Sequence, residues 1–309
     1  MTVRHVLDVD DLSCDELESV LDLASRDPRD LPRVLAGSGA ALVFEKPSAR
    51  TRSATEMAVV ALGGHPVYVH SNEVGIGSRE SAEDVARTLA SYHSVICARV
   101  LSHETLLLMS GALDKSGFDV PVVNLLSDRA HPTQAVADLL TLRQVFGEMG
   151  GRTVAYVGDA NNVWRSLAQA CAMTGLRLRT ACPEGYGPED DDIERVELLG
   201  GDVEVSSDPA EAVAGVDAIY TDVWTSMGQE GEEEARRRAF AGFAVDDDLV
   251  AAASPEAVVM HCLPARRGEE ISGEVIDGPR SVVWRQAANR LAAARGLLAW
   301  LFAERDEGR

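Results

Sequence analysis

A parallel-sheet α/β fold divided between two domains is what this sequence predicts, and three observations carry the prediction. The chain is 309 residues long, about twice an ordinary single domain. Short apolar runs alternate with stretches whose apolar residues recur at helical spacing, the order expected when crossover helices connect parallel strands. The segment GGR at 150–152 interrupts the series, and a second strand-helix series begins after it. The expected architecture is two domains, each with a central parallel sheet flanked by helices.

In the first domain, residues 1–147, strands are predicted at AALVFE (40–45), PVYVH (66–70), SVICARV (94–100) and VPVVNL (120–125), with helices between them. Ala54, Met57, Ala58 and Ala61 follow the i, i+3, i+4, i+7 pattern, which predicts a helix from about Arg50 to Gly63 and Gly64. Pro132 suits the first turn of a helix running to about Gly147. In the second domain, residues 148–284, strands are predicted at TVAYVGD (153–159), RLRTACP (177–183), DVEVSS (202–207), DAIYTDVW (217–224) and AVVMHCLP (257–264). A last helix, 285–305, has Leu291, Ala294, Leu298 and Leu301 on one face and is long enough to pack back on the first domain.

Composition narrows the partners. The net charge is -21, which argues against nucleic acid and anionic membrane surfaces, because both are bound by neutralising phosphate. The acidic runs at 189–192, 230–234 and 246–248 read as solvated surface. No apolar run approaches the roughly 20 residues needed to span a membrane, and the start MTVRHVLDVDDLSCDE has no apolar stretch typical of a secretory signal, which predicts a cytoplasmic location. The cysteines, Cys14, Cys97, Cys171, Cys182 and Cys262, are odd in number and scattered, so neither a disulfide framework nor a zinc site is expected.

Against that acidic background, FEKPSARTRSAT at 44–55 concentrates positive charge. It lies where a strand turns into a helix, at the carboxyl end of the strand, where open α/β sheets place ligands. A helix start offers free N–H groups and a positive dipole end, and Ser48, Arg50 and Thr51 add directed donors, so the segment predicts an anion cradle. Arg52 reads instead as an ion-pair partner of Glu56 one turn on. Other strand ends also carry polar residues. Arg99 closes an apolar strand, a position that alone suits an ion pair, and His131 and Gln134 stand three apart at a helix start. Asn161 and Asn162 follow a strand in VGDANNVWRS, where only Gly158 is present of the G-x-G-x-x-G spacing a dinucleotide would need.

Taken together, FEKPSARTR, ICARVLSHETL, HPTQAVADLLTL, VGDANNVWRSL, TDVWTSMGQE, MHCLPARRGEE and QAANRL resemble the transcarbamylases, in collinear order over nearly the whole chain. The SMG and HCLP segments point to the ornithine rather than the aspartate branch. The resemblance implies a first domain for carbamoyl phosphate, a second for the amino acid, closure of the two on substrates, and assembly as a homotrimer or a multiple of trimers. It implies carbamoyl transfer to the δ-amine of L-ornithine, giving citrulline and phosphate in arginine metabolism, with no metal or organic cofactor. Ser48, Ala49, Arg50 and Thr51 would hold the phosphate, and Arg99, His131 and Arg290 would act on the carbonyl oxygen. Gln134 and the carbonyl of Leu263 would hold the carbamoyl group. Asn162, Asp222, Ser226 and the backbone of Met227 would hold ornithine, with Cys262, assisted by Asp222 as a catalytic pair, near the attacking nitrogen.

The chain also departs from the family pattern. Ala49 replaces a threonine of the phosphate loop, Gly75 stands where a glutamine or histidine from a neighbouring subunit is common, Ala160 stands where glycine is usual, and Arg285 and Ala288 replace frequent acidic residues. Two alternatives stay open: a transcarbamylase for putrescine or N-acetylornithine, and a carbamoyl-phosphate-binding relative without turnover. A nicotinamide-dependent dehydrogenase rests only on the strand-Gly-helix at 154–175.

Overall fold

The computed structural model describes residues 3–225 and 231–307. Two compact units emerge, one formed by Met1–Leu140 with Asn289–Arg309 and the other by Thr141–Ala288.

The first unit contains α1 (Cys14–Ser25), β1 (Gly39–Phe44), α2 (Ala49–Ala61), β2 (His65–His70), α3 (Ser71–Val74), α4 (Ala82–Ala90), β3 (Val95–Arg99), α5 (His103–Ser116), β4 (Val122–Leu126) and the start of α6 (Pro132–Phe146). Its four strands are all parallel, in the order β2-β1-β3-β4. The inner strands β1 and β3 are buried nearly throughout, which explains their uninterrupted apolar sequence. Ala41, Val43, Ile96 and Ala98 meet Val85, Leu89, Leu106, Met109 and Leu113 of α4 and α5 in one core. Each fully buried Leu or Ile there contributes about 1.5–3 kcal/mol.

The second unit contains β5 (Thr153–Val157), α7 (Asn162–Thr174), β6 (Arg177–Ala181), α8 (Asp190–Leu198), β7 (Val203–Ser206), α9 (Pro209–Val213), β8 (Ala218–Thr221), α10 (Glu233–Ala239), α11 (Asp247–Ala252), β9 (Val258–His261), α12 (Gly273–Ile276) and the start of α13 (Val283–Glu307). Its strands are parallel in the order β7-β6-β5-β8-β9. Trp224 stacks on Phe240 at 5.6 Å within a core that also takes in Val157, Ile219, Val259 and Ile271.

All nine predicted strands form, but several stop short of the predicted carboxyl ends. Glu45, Asp159, Asp222 and the Cys262–Pro264 segment fall outside the strands, because there the chain leaves the sheet as the loops that carry polar groups. The part of α13 from Asn289 belongs to the first unit, as expected of a helix that packs back. It is buried on more than the predicted face: Ala293, Leu297 and Trp300 are enclosed along with Ala294, Leu298 and Leu301, while Leu291 is only half-buried. Gly296 permits this, since a Cβ there would lie 2.6 Å from the Ala24 backbone nitrogen of α1. Arg295 anchors the same contact by donating to the Ala24 and Arg26 carbonyls at 2.9 and 2.8 Å.

Two acidic runs are not simply solvated. Asp192 is buried and pairs with Arg165 at 2.7 Å, and Glu233 pairs with Arg266 at 2.9 Å. The runs read as surface because the arginines that meet them lie 27 and 33 residues away in sequence.

Candidate active site

Each sheet reverses its strand order once, and the polar residues collect at those two points. In the first unit the reversal falls between β1 and β3, whose last residues, Phe44 and Arg99, are register partners. The pairing of β3 with β4 shifts between Ala98 and Arg99, an irregularity of the kind that re-aims a side chain at a strand end. From β1 the chain passes into α2, where Ser48 is the N-cap and accepts from the Thr51 N–H at 3.4 Å.

The Thr51 hydroxyl is where this half-site converges. Its oxygen accepts from Ser48 Oγ at 3.1 Å, Arg99 Nη1 at 3.3 Å and Arg290 Nη2 at 2.7 Å. A hydroxyl oxygen has two lone pairs and one proton, so these three groups compete for a single Thr51 hydroxyl. Thr51, Arg99, His131, Gln134 and Arg290 are buried, while Arg50 and Ala49 are exposed at the helix start. Burial, followed by the neighbouring Arg290 and Arg50 charges, brings the Arg99 guanidinium down to about 10, so it stays charged at neutral pH. The same burial, reinforced by Arg290 and Arg99, pushes His131 well below its ordinary value, so its imidazole is neutral. Gln134 donates through Nε2 to Asp138 Oδ1 at 2.8 Å, which leaves its buried Oε1 as an acceptor without a hydrogen-bond partner.

In the second unit the reversal falls between β5 and β8. Asn161 caps α7, accepting from the Val163 and Trp164 N–H groups, and its Nδ2 donates to Asp222 Oδ2 at 3.0 Å. Asp222 follows β8 and accepts through Oδ1 from the Cys262 thiol at 2.9 Å and from the Val223 N–H at 2.8 Å. Cys262 follows β9, and Leu263 after it takes the left-handed conformation, φ 61°, with a cis bond to Pro264. For a leucine that left-handed backbone costs about 1–2 kcal/mol, so neighbouring groups must hold it.

The expected residues thus form two groups, Ser48, Thr51, Arg99 and Arg290 in one unit and Asp222 with Cys262 in the other. Ser226 and Met227 lie outside the described residues. Asn162 is half-buried at the first turn of α7, and it is Asn161, not singled out as a binding residue, that meets Asp222. The N-cap rule would have distinguished them, since an Asn just before a helix turns its side chain back on the loop. Arg52 pairs with Glu56 at 2.7 Å as expected and also lies over Tyr68 at 3.8 Å. Gly75 has a local cause: its φ of 62° closes the turn in which its carbonyl accepts from Ser78 and Arg79, and a Cβ would meet Arg79 Cβ at 2.9 Å.

Asp222, His261 and Cys262 bring a carboxylate oxygen, a ring nitrogen and a thiol within 4.8 Å of one another. These groups are already engaged. Cys262 donates to Asp222, and both ring nitrogens of His261 face partners, Leu263 N–H and Glu270. All three side chains are thus held in hydrogen bonds, Cys262 with Asp222 and His261 with Leu263 and Glu270, which a metal ion would have to break.

Comparison with known proteins matches both halves. Residues 4–144 match the family described as aspartate/ornithine carbamoyltransferase, carbamoyl-P binding domain, and residues 150–301 match its Asp/Orn binding domain. The chain is 48% identical over 306 residues to the ornithine carbamoyltransferase of Acidothermus cellulolyticus, covering 97% of this chain and 96% of that protein. Among solved structures, ornithine carbamoyltransferase from Thermus thermophilus superposes with a TM-score of 0.87 at 44% identity, covering 98% of this chain and 100% of that one. The enzyme from Pyrococcus furiosus does so with a TM-score of 0.91 at 41% identity, covering 97% of each. Switch-point geometry in both sheets and similarity along nearly the full length agree: this chain belongs to the aspartate/ornithine carbamoyltransferase family.

Proposed function

We propose that this protein transfers the carbamoyl group of carbamoyl phosphate to the δ-amine of L-ornithine, giving L-citrulline and phosphate. The observation that carries the reading is the convergence of Ser48, Arg99 and Arg290 on Thr51 at the start of α2. The Arg290 and Arg50 charges both act on the buried Arg99 guanidinium there, and a phosphate offsets that positive charge.

In this reading the phosphate lies at the α2 N-terminus against Ser48, Ala49 N–H, Arg50 and Thr51. Arg99 bridges phosphate and carbonyl oxygen, and Thr51, His131 and Arg290 also direct donors at that oxygen. A neutral His131 suits the task, because it donates one hydrogen bond without adding a third buried charge beside Arg99 and Arg290. Gln134 Oε1 and the Leu263 carbonyl accept from the carbamoyl amine. Asn162, Asp222, Ser226 and Met227 hold the α-amino and α-carboxylate groups, and Asn161 orients Asp222. Cys262 lies beside the δ-nitrogen.

The chemistry follows from these placements. The δ-amine is protonated at neutral pH and loses a proton before it attacks the carbamoyl carbon. As the C–N bond forms, negative charge gathers on the carbonyl oxygen, where the donors in place stabilise it without reorganising. Breaking the C–O bond then releases phosphate with the electron pair, and the former amine gives up its second proton.

The reading extends to a cytoplasmic homotrimer acting in arginine biosynthesis. No helix among the described residues is long and apolar enough to cross a membrane. Exposed Met57 and Val60 on α2, Leu101, and Leu107 and Leu108 on α5 support self-association. The deciding experiment is citrulline formation by purified protein, with putrescine, N-acetylornithine and aspartate as rival acceptors and light scattering on the same sample. Turnover confined to ornithine by a trimer is expected. Turnover with another amine would overturn the acceptor, and carbamoyl-phosphate binding without turnover would overturn the enzyme.

A further inference from the structure

His261 closes β9 with no solvent exposure of its side chain, and neither does Glu270 expose any. The Leu263 N–H lies 2.9 Å from His261 Nδ1. A backbone N–H can only donate, so Nδ1 is the unprotonated ring nitrogen and Nε2 carries the proton. Nε2 faces Glu270 Oε1 at 3.1 Å, and that oxygen also accepts from the Arg266 N–H at 2.5 Å. On the other side, the His261 N–H donates to Gln286 Oε1 at 2.9 Å. Glu270 Oε1 thus selects one tautomer of His261, and that tautomer supplies the acceptor that holds Leu263 in its left-handed backbone.

The arrangement is expensive for a packing role. Glu270 Oε2 is buried and has no hydrogen-bond partner, a penalty that an apolar side chain of similar volume would not incur. We propose that Glu270 is a positioning residue for carbamoyl transfer: acting through His261, it fixes the backbone that presents the Cys262 thiol and the Leu263 carbonyl. This rests on the reading above, in which those two groups touch the substrates.

The test compares Glu270→Ala and Glu270→Gln with Cys262→Ala, measuring kcat and both KM values per folded enzyme. In Glu270→Ala, kcat/KM for ornithine is expected to fall about tenfold to hundredfold, the usual penalty for losing a group that orients a first-contact residue. KM for carbamoyl phosphate should change less than that for ornithine, because of its contacts in that reading only the Leu263 carbonyl depends on Glu270, while the phosphate-holding residues lie in the other unit. Glu270→Gln should recover most of the loss, since its amide oxygen can still accept from Nε2. A merely structural defect would lower the amount of active protein without shifting KM for ornithine and without separating the two variants. Unchanged ornithine kinetics in Glu270→Ala, with Cys262→Ala impaired, would overturn the proposal. Unchanged kinetics in Cys262→Ala would instead remove the reading on which it rests. The nitrogen-15 spectrum of histidine-labelled wild-type protein decides independently of variant folding: Nδ1 protonated in His261 overturns the proposal.

Discussion

At the scale of the residue, Thr51 concentrates the most consequence in one hydroxyl. In Thr51→Val the shape is kept but Arg99 and Arg290 lose a shared acceptor and the anion loses a donor. Removing one such donor costs about 3 kcal/mol in the transition state, so kcat/KM for carbamoyl phosphate should fall about hundredfold in steady-state assays. Arg50→Ala, at an exposed position, should abolish detectable turnover with an unchanged melting curve; near-normal activity would remove the phosphate assignment. Which of these residues were legible follows from locality. Ser48, Arg50 and Thr51 share one short segment with a strand before it and a helix after it, so spacing alone places them. Arg290 lies 239 residues from Thr51, and only resemblance pointed to it. Asn161 and Asn162 look alike in polarity in the sequence, and it is the N-cap position that turns Asn161 toward Asp222.

At the scale of the element, the loop after β8 is held from beneath by α10. Arg236 is buried and donates to Asp159 Oδ2 at 2.7 Å and to the Trp224 carbonyl at 2.8 Å, with Tyr186 5.0 Å from its guanidinium. Asp159 and Trp224 flank the strand ends that carry Asn161 and Asp222, so one side chain ties both together. Two further ion pairs, Glu233 with Arg266 and Arg237 with Glu269, fasten α10 to the segment after Cys262. These are more exposed, and each contributes about 0–1 kcal/mol. Arg236→Met, by contrast, leaves Asp159 buried without its partner, and breaking a buried pair costs about 3–5 kcal/mol. Urea unfolding should show that loss, and a rise in KM for ornithine should accompany it in the folded fraction. The strands themselves were legible because buried parallel strands are apolar runs; α10 was not, because its EEARRRA pattern looks like solvated surface until Arg236 is seen to turn inward.

At the scale of the whole molecule, the architecture was legible because both sheets obey one periodic rule, whereas the response to pH depends on which side chains the fold encloses. His131 is held well below its ordinary value of 6.5, burial being the largest cause, and burial also lowers His5 and His93. The sign follows directly. Below pH 6.5 the unfolded chain takes up protons that the native state refuses, so native stability is complete above that pH and drains away as pH falls. For each histidine that stays neutral in the native state the slope is about 1.4 kcal/mol per pH unit. A second effect runs the other way. At a net charge of -21, acidification relieves self-repulsion and would mask the loss at low salt. Salt separates the two, because at about 0.5 M the screening length is roughly 4 Å, which suppresses repulsion between surface charges but leaves the desolvation of a buried imidazole intact. Urea titrations at that salt, at pH 7.5 and 5.5, should therefore give a lower unfolding free energy at the acid end, and His131→Gln should flatten the dependence. An equal slope in that variant would mean that His131 already carries its proton in the native state, and with it would go the neutral donor assigned to the carbonyl oxygen.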